Sequence, residues 1–336
     1  MKFNYLIIFF LLPNLLFGQS GGKSIYTFQN LPFSAKVASL GGRNISLDDK
    51  DPNISIENPA YRSNYANKYA IFNYIWYMAG INYGNFLYSI KSNSIDNYAI
   101  GIKYINYGDF EGRDNAGMKQ GTFSAADYSF DILWNRYLID SSLSIGANIK
   151  PIYSQLEEYS SFGIVGDLGF FYKLPQYNMS LAVVLKNVGK QIKSYSNEKE
   201  TIKPDLEIGI TKRLAHAPFR FSITAYHLLD YDIDYEQNNT LNSVSGFSEQ
   251  SSKNSMLSSS LKHFIFAAEF LPSNSFAINL GYNYLRRFEM SVDGANSIAG
   301  FSFGFSLKLS KFYFSYGRSA HHVAGGSDLF SLVYKL

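Results

Sequence analysis

The chain has 336 residues, 46% hydrophobic and only 17% charged, with 27 Tyr, 28 Phe, 26 Gly, no Cys and a net charge of +3. So mild a charge excludes a nucleic-acid-binding protein, and the missing cysteines exclude a disulfide scaffold, a lipidated-cysteine anchor and thiolate metal sites. A chain rich in aromatics and glycine without long apolar runs is no bundle of transmembrane helices; the mixture suits strands with one apolar and one polar face.

Taken in chain order, residues 1–18 read as a secretory signal peptide: Lys2, an apolar run from Tyr5 to Leu12 and on through Leu15 to Phe17, then small Gly18. Pro13 and Asn14 break that run too early for a membrane span, so Gln19 is expected to lead the mature chain. Residues 19–67 show no strand alternation. Ser34 offers a helix N-cap, a short helical run follows, and Gly41 offers a stop. The polar, turn-rich remainder predicts a compact N-terminal periplasmic plug, or hatch, tucked into the lumen of whatever barrel follows. Asp49, Asp51, Asn53 and Ser55 echo the start of a calcium loop, but Ile54 stands where Gly is required and Ala60 where Glu is required. A solvated acidic turn is the expectation there.

From residue 68 to 336 the period-2 pattern recurs. It predicts strands at 68–77, 79–91, 96–108, 123–136, 142–155, 161–173, 177–188, 204–214, 218–228, 261–271, 275–286, 298–309, 311–320 and 327–336. Phe301, Phe303, Phe305, Leu307 and Leu309 form one face of such a strand, and Ser302, Gly304, Ser306 and Lys308 the other. Links after even-numbered strands are short. Those after odd-numbered strands are mostly long, notably 109–122, 189–203, 229–260 and 287–297. A soluble sandwich has no reason for that asymmetry and prefers shorter strands. The fold class expected is therefore all-β: a 14-stranded antiparallel transmembrane β-barrel with an N-terminal plug. Its short turns are expected in the periplasm, its long loops outside the cell, and both mature termini periplasmic or luminal. The polar faces, with Lys103, Asp131, Asn148, Lys150, Glu207, Glu269 and Asn279, are expected to meet a wet or structural lumen.

No nucleotide-binding, nucleophile-elbow or zinc motif is present. His216, His227, His263, His321 and His322 are scattered, and adjacent residues on a strand point apart, so no shared metal is expected. No catalytic, cofactor or metal residues are therefore assigned, and no enzyme activity is expected. Candidate partner-binding residues lie on the long links: Phe110 and Arg113 on 109–122, and Tyr231, Tyr235 and Phe247 as isolated aromatics in the Ser/Asn-rich 229–260.

The run Asn58, Pro59, Ala60 ahead of such a barrel looks like the hatch motif of FadL-type outer-membrane proteins. GGKSIYTFQNLPFSAKVASLGG, DPNISIENPA, YINYGDFEG, GTFSAADYS, GANIKPIYSQLEEYSSFG and LAHAPFRFSITAYHL, in that order, resemble the PorQ family of the type IX secretion system of Bacteroidota. That resemblance implies a non-enzymatic outer-membrane anchor for a PorZ-like surface protein. It would sit in an attachment complex with PorU- and PorV-like components that processes secreted cargo. Outer-membrane lipid and lipopolysaccharide complete the expected contacts, and the alternative is a FadL-like transporter of small hydrophobic molecules.

Overall fold

A computed structural model describes residues 24–62, 68–92, 95–114, 116–139, 141–196, 198–230, 256–290, 298–322 and 325–336. The signal-peptide segment, Tyr231, Tyr235 and Phe247 lie outside them.

Among the described residues fourteen strands form one closed barrel. They are β1 (Tyr69–Trp76), β2 (Asn82–Ser92), β3 (Asp96–Arg113), β4 (Lys119–Ile139), β5 (Leu143–Leu156), β6 (Tyr159–Leu174) and β7 (Met179–Lys193). The circuit continues with β8 (Asp205–Arg213), β9 (Phe219–Ala225), β10 (Phe264–Phe270), β11 (Phe276–Asn283), β12 (Phe301–Leu309), β13 (Phe312–His322) and β14 (Gly325–Lys335). Every neighbour is sequential and antiparallel, and β1 pairs with β14 to close the ring. Closure leaves no sheet edge, the condition for a strand structure in hydrocarbon.

Alternation sets the two faces as the sequence predicts. Phe301, Phe303 and Phe305 are exposed while Ser302 and Ser306 are buried. The outward set continues round the wall through register pairs such as Phe303↔Leu280, Phe72↔Phe86 and Ile132↔Ile149. An apolar belt around a closed barrel is what lipid requires.

The differences lie at the long-link rim. Residues 109–122, expected as a loop, mostly continue β3 and β4 as a tall hairpin. Phe110 and Arg113 therefore stand on strand β3. The strand predicted from residue 261 begins at Phe264, because a short helix, α3 (Met256–Leu261), precedes it. The strand predicted to 286 ends at Asn283, where α4 (Tyr284–Met290) begins.

Candidate functional site: the plug and its wall

Residues 24–62 fill the lumen. The segment starts beside Thr201 at the long-link rim, where Ser24 forms a parallel bridge and Ile25 N donates to Thr201 O at 3.2 Å. It ends beside the short turns, where Asn58–Tyr61 meet β4 to β6. Two short helices shape it, α1′ (Ala35–Ser39) and α2′ (Ile54–Glu57). Ser34 caps the first through Val37 N, and Gly41 and Gly42 leave it at φ of 96° and 100°, a backbone region that favours glycine. The predicted N-cap and stop are thus both present. The segment is less polar than its sequence looks: Phe28, Phe33, Val37, Leu40, Ile45, Leu47 and Ile54 are all buried. Period-2 reasoning missed this core because a coiled segment inside a closed wall needs no repeat.

Wall side chains complete the plug's backbone hydrogen bonds. Ala35 N donates to Ser331 Oγ at 2.8 Å, Ser319 Oγ donates to Ala38 O at 3.1 Å, and Asn283 Nδ2 donates to Gly41 O at 3.3 Å. An unpaired buried backbone group costs about as much as a lost hydrogen bond, so these contacts fix where each turn can sit. At Asn58, Pro59 and Ala60 the fit is closest. Asn58 Oδ1 accepts from Ala60 N at 2.9 Å, Asn58 Nδ2 donates to Ile45 O at 3.0 Å, and Asn135 Nδ2 donates to Pro59 O at 3.0 Å. The sequence-flagged motif is therefore a keyed turn against the wall.

Glycines make the close approach possible. A Cβ on Gly146 would stand 2.2 Å from Pro59 O, on Gly281 2.1 Å from Gly41 N, on Gly317 2.2 Å from Ala35 O, and on Gly169 2.3 Å from Asn58 Oδ1. Contacts under 3.0 Å cannot be accommodated against backbone. The wall carries a glycine footprint of the plug.

Charge supplies the second lock. Lys36 pairs with Asp49 and lies 3.2 Å from Glu269, and Arg220 reaches Glu269 at 2.8 Å and Asp49 at 3.2 Å. Arg43 pairs with Asp205 at 3.0 Å and with Glu207, while Lys186 bridges Glu57 at 2.9 Å and Glu207 at 3.3 Å. Lys103 and Lys150 pair with Asp131 and Asp167 at 3.3 and 2.7 Å. The charges expected to face a wet or structural lumen are inward, as predicted, and are buried against the plug or one another. Such pairs add little net stability, yet removing one partner strands the other, so they specify plug position.

Asp51 and Asn53 are fully buried, which overturns the solvated turn expected there. Asp51 Oδ1 accepts from Asn53 N and Nδ2, each at 2.9 Å, and burial pushes its carboxyl up to about 6. Burial would raise Asp49 too, but the Lys36 ammonium and Arg220 guanidinium hold it well below the usual carboxylate range. One cavity between plug and wall, beside Gln29, Phe33, Lys103 and Lys150, has a volume of about 10 Å³, room for roughly one water.

The histidines are not gathered. His216 is exposed, His227 faces Asp205 at 3.1 Å, His263 faces Tyr226 O at 3.0 Å and His321 faces Ser327 at 2.9 Å. Among the described residues no three His, Asp or Glu are placed to hold a metal. Phe110 is exposed and stacks on Phe123, centroids 5.3 Å apart, and Arg113 pairs with Glu111. Both stand on the hairpin above the rim, away from the plug.

No family model and no curated protein matches the chain. Solved structures do. A deletion mutant of the TodX monoaromatic hydrocarbon channel aligns over 90% of this chain and 97% of its own, at 12% identity and a TM-score of 0.50. The CymD monoaromatic hydrocarbon channel aligns over 91% and 98%, at 11% identity and the same score. A FadL homologue of Pseudomonas aeruginosa aligns over 90% and 98%, at 9% identity and a score of 0.48. The chain has the fold of these outer-membrane β-barrels. At these identities the likeness establishes architecture, and the interior chemistry has to be read from the chain's own residues.

Proposed function

We propose that this barrel is a plugged, non-enzymatic platform of the outer membrane. On the resemblance to the PorQ family, it would hold a PorZ-like surface protein, with PorU- and PorV-like components, in a type IX attachment complex. The observation that carries this reading is the plug: a glycine footprint on the wall and buried ion pairs key it in place. A platform needs a rigid wall and an outward rim for contacts, and nothing in that role calls for a path or a reactive group.

A second reading, a FadL-like transporter of small hydrophobic molecules, is the one the fold comparison favours, since two monoaromatic hydrocarbon channels share the architecture. It requires an apolar route past the plug. Against it stand the charged pairs that line the seam.

One experiment separates the two. Cells lacking the gene are compared with wild type for proteins copurifying from detergent-solubilised outer membrane, for surface retention of cargo, and for uptake of labelled toluene and oleate. Loss of a surface partner and cargo with unchanged uptake supports the platform. Retained partner with lost uptake replaces it by the transporter.

A further inference from the structure

Arginines that reach the plug differ in their counter-charges. Arg43 pairs with Asp205 and Glu207, and Arg220 with Glu269 and Asp49, so each of these guanidinium groups has two carboxylates. Arg286 has none among the described residues. It stands on α4, in the link after β11, and that helix packs against β10 and β13, so it reaches past β12 at the long-link end of the lumen. Arg286 Nη1 donates to Ser302 Oγ at 3.3 Å, and its Nη2 lies 2.8 Å from where a Cβ on Gly42 would stand. The guanidinium is thus lodged between the plug turn at Gly41–Gly42 and the wall at β12, and the residue is mostly buried.

Its surroundings supply little negative charge. The ionisable groups that act on it most strongly are Tyr226, Tyr77 and Tyr83, phenols that are neutral at pH 7, and the cation Arg43. His321, whose ring lies 5.2 Å from that of Tyr77, also feels it. Glu289, three residues on along α4, is drawn more strongly to His227 and Lys262 than to Arg286. Burial therefore dominates, and it holds the guanidinium below its usual basicity, the direction opposite to that of an ion pair. A cation taken out of water without a counter-charge is costly, and of its five N–H donors Ser302 accepts from one, at long range.

We propose that Arg286 is the cationic centre of a binding site for one small monoanion, a halide or a carboxylate, at the long-link end of the plug. One guanidinium matches one negative charge. Arg43 is committed to its two acids and the tyrosines bring no cation, so a dianion such as sulfate would be left half neutralised. Bound there, the anion would join α4 to the Gly41–Gly42 turn and fix that end of the plug.

The test uses the full mature chain in a neutral detergent. As sodium bromide or sodium acetate is raised from about 1 to about 100 mM, the melting temperature of wild type is expected to rise by about 4 °C, and sodium sulfate of equal ionic strength should move it by less than about 1 °C. Arg286→Gln is expected to lose the rise and, at low salt, to melt no lower than wild type, because a neutral amide replaces a stranded charge. A Lys190→Gln variant, which removes an exposed cation of the same rim, should keep the rise. Should Arg286→Gln not fold, wild-type crystals soaked in bromide decide: an anomalous peak is expected within about 3.5 Å of the guanidinium. Displacement of that peak by acetate assigns the site to carboxylates as well as halides, and persistence assigns it to halides. Equal stabilisation by sulfate, a rise that survives Arg286→Gln, a variant that melts lower than wild type at every salt, or no bromide peak at Arg286 overturns the site.

Discussion

At the scale of single residues, what matters on this wall is where a side chain is missing. Gly281 faces the backbone at Leu40 and Gly41, with no flexible atom to give way. Gly281→Val is expected to destabilise the barrel by about 3 kcal/mol or more, through overpacking that neither partner can relieve. Gly166→Ala, whose Cβ would meet nothing nearer than 3.5 Å, should change stability by no more than about 0.5 kcal/mol. Equal shifts of the urea midpoint in detergent would deny the footprint. A filled lumen also changes the fate of a lysine at Ser302. A polar, wet interior would accept it, but Ser302 is fully buried against Ser319 and Arg286, so Ser302→Lys joins Phe303→Lys among the costly changes.

Asp51 carries a pH dependence of the same residue-level origin. Its carboxyl titrates near 6 in the folded protein against 3.8 in a free chain, so between those values the folded state holds a proton that the unfolded state has lost. Its contribution therefore strengthens the fold as pH falls from about 7 towards 4. Asp49 acts with the opposite sign: its folded carboxyl lies below 3.8, so its contribution is present above that value and is lost as pH drops further. The melting temperature in detergent is expected to be higher at pH 5 than at pH 7.5, and Asp51→Asn should flatten that difference. An unchanged difference in the variant would assign the effect elsewhere.

At the scale of elements, the β3–β4 hairpin separates barrel from superstructure. β3 pairs with β2 only as far as Asn106, and β4 pairs with β5 only from Ala125, so above those positions the two strands have each other alone. On β4, Phe123 shares the face of Ala125 and Asp127, which turns the Phe110–Phe123 stack towards the lumen axis. Replacing residues 109–122 by a two-residue Asn-Gly turn should leave the heat-dependent gel shift unchanged and move the melting temperature by only a few degrees, because no ladder bond to another strand is lost. Loss of the folded band would show that the hairpin supports the wall. Its strand character was hidden in the sequence: Gly108, Gly112, Gly117 and Gly121, with Asp109 and Asp114, read as a loop, and only cross-strand pairing with bulges reveals a ladder.

For the whole molecule, orientation follows from the asymmetry of the rims. Short turns at one end and the tall hairpin with the long links at the other predict that Met118→Cys is labelled by an impermeant maleimide on intact cells, while Ser273→Cys needs permeabilised cells. The chain has no cysteine of its own, so background labelling is absent. The reverse pattern would turn the barrel over.

Strand number, face assignment and most strand limits were legible in the sequence because a lipid-facing wall imposes a two-residue period on every strand, whichever residues carry it. The helix at Ser34–Gly41 was legible for the local reason that caps and stops are made by nearby side chains. The contents of the lumen were not. Gly146 meets Pro59, Gly281 meets Gly41, and Arg220 meets Asp49 across separations in the chain that no local pattern spans. In the sequence those glycines and charges looked suited to water. Only closure of the wall around residues 24–62, which excludes the water and leaves the buried groups to pair between plug and wall, turns them into the surface that holds the plug.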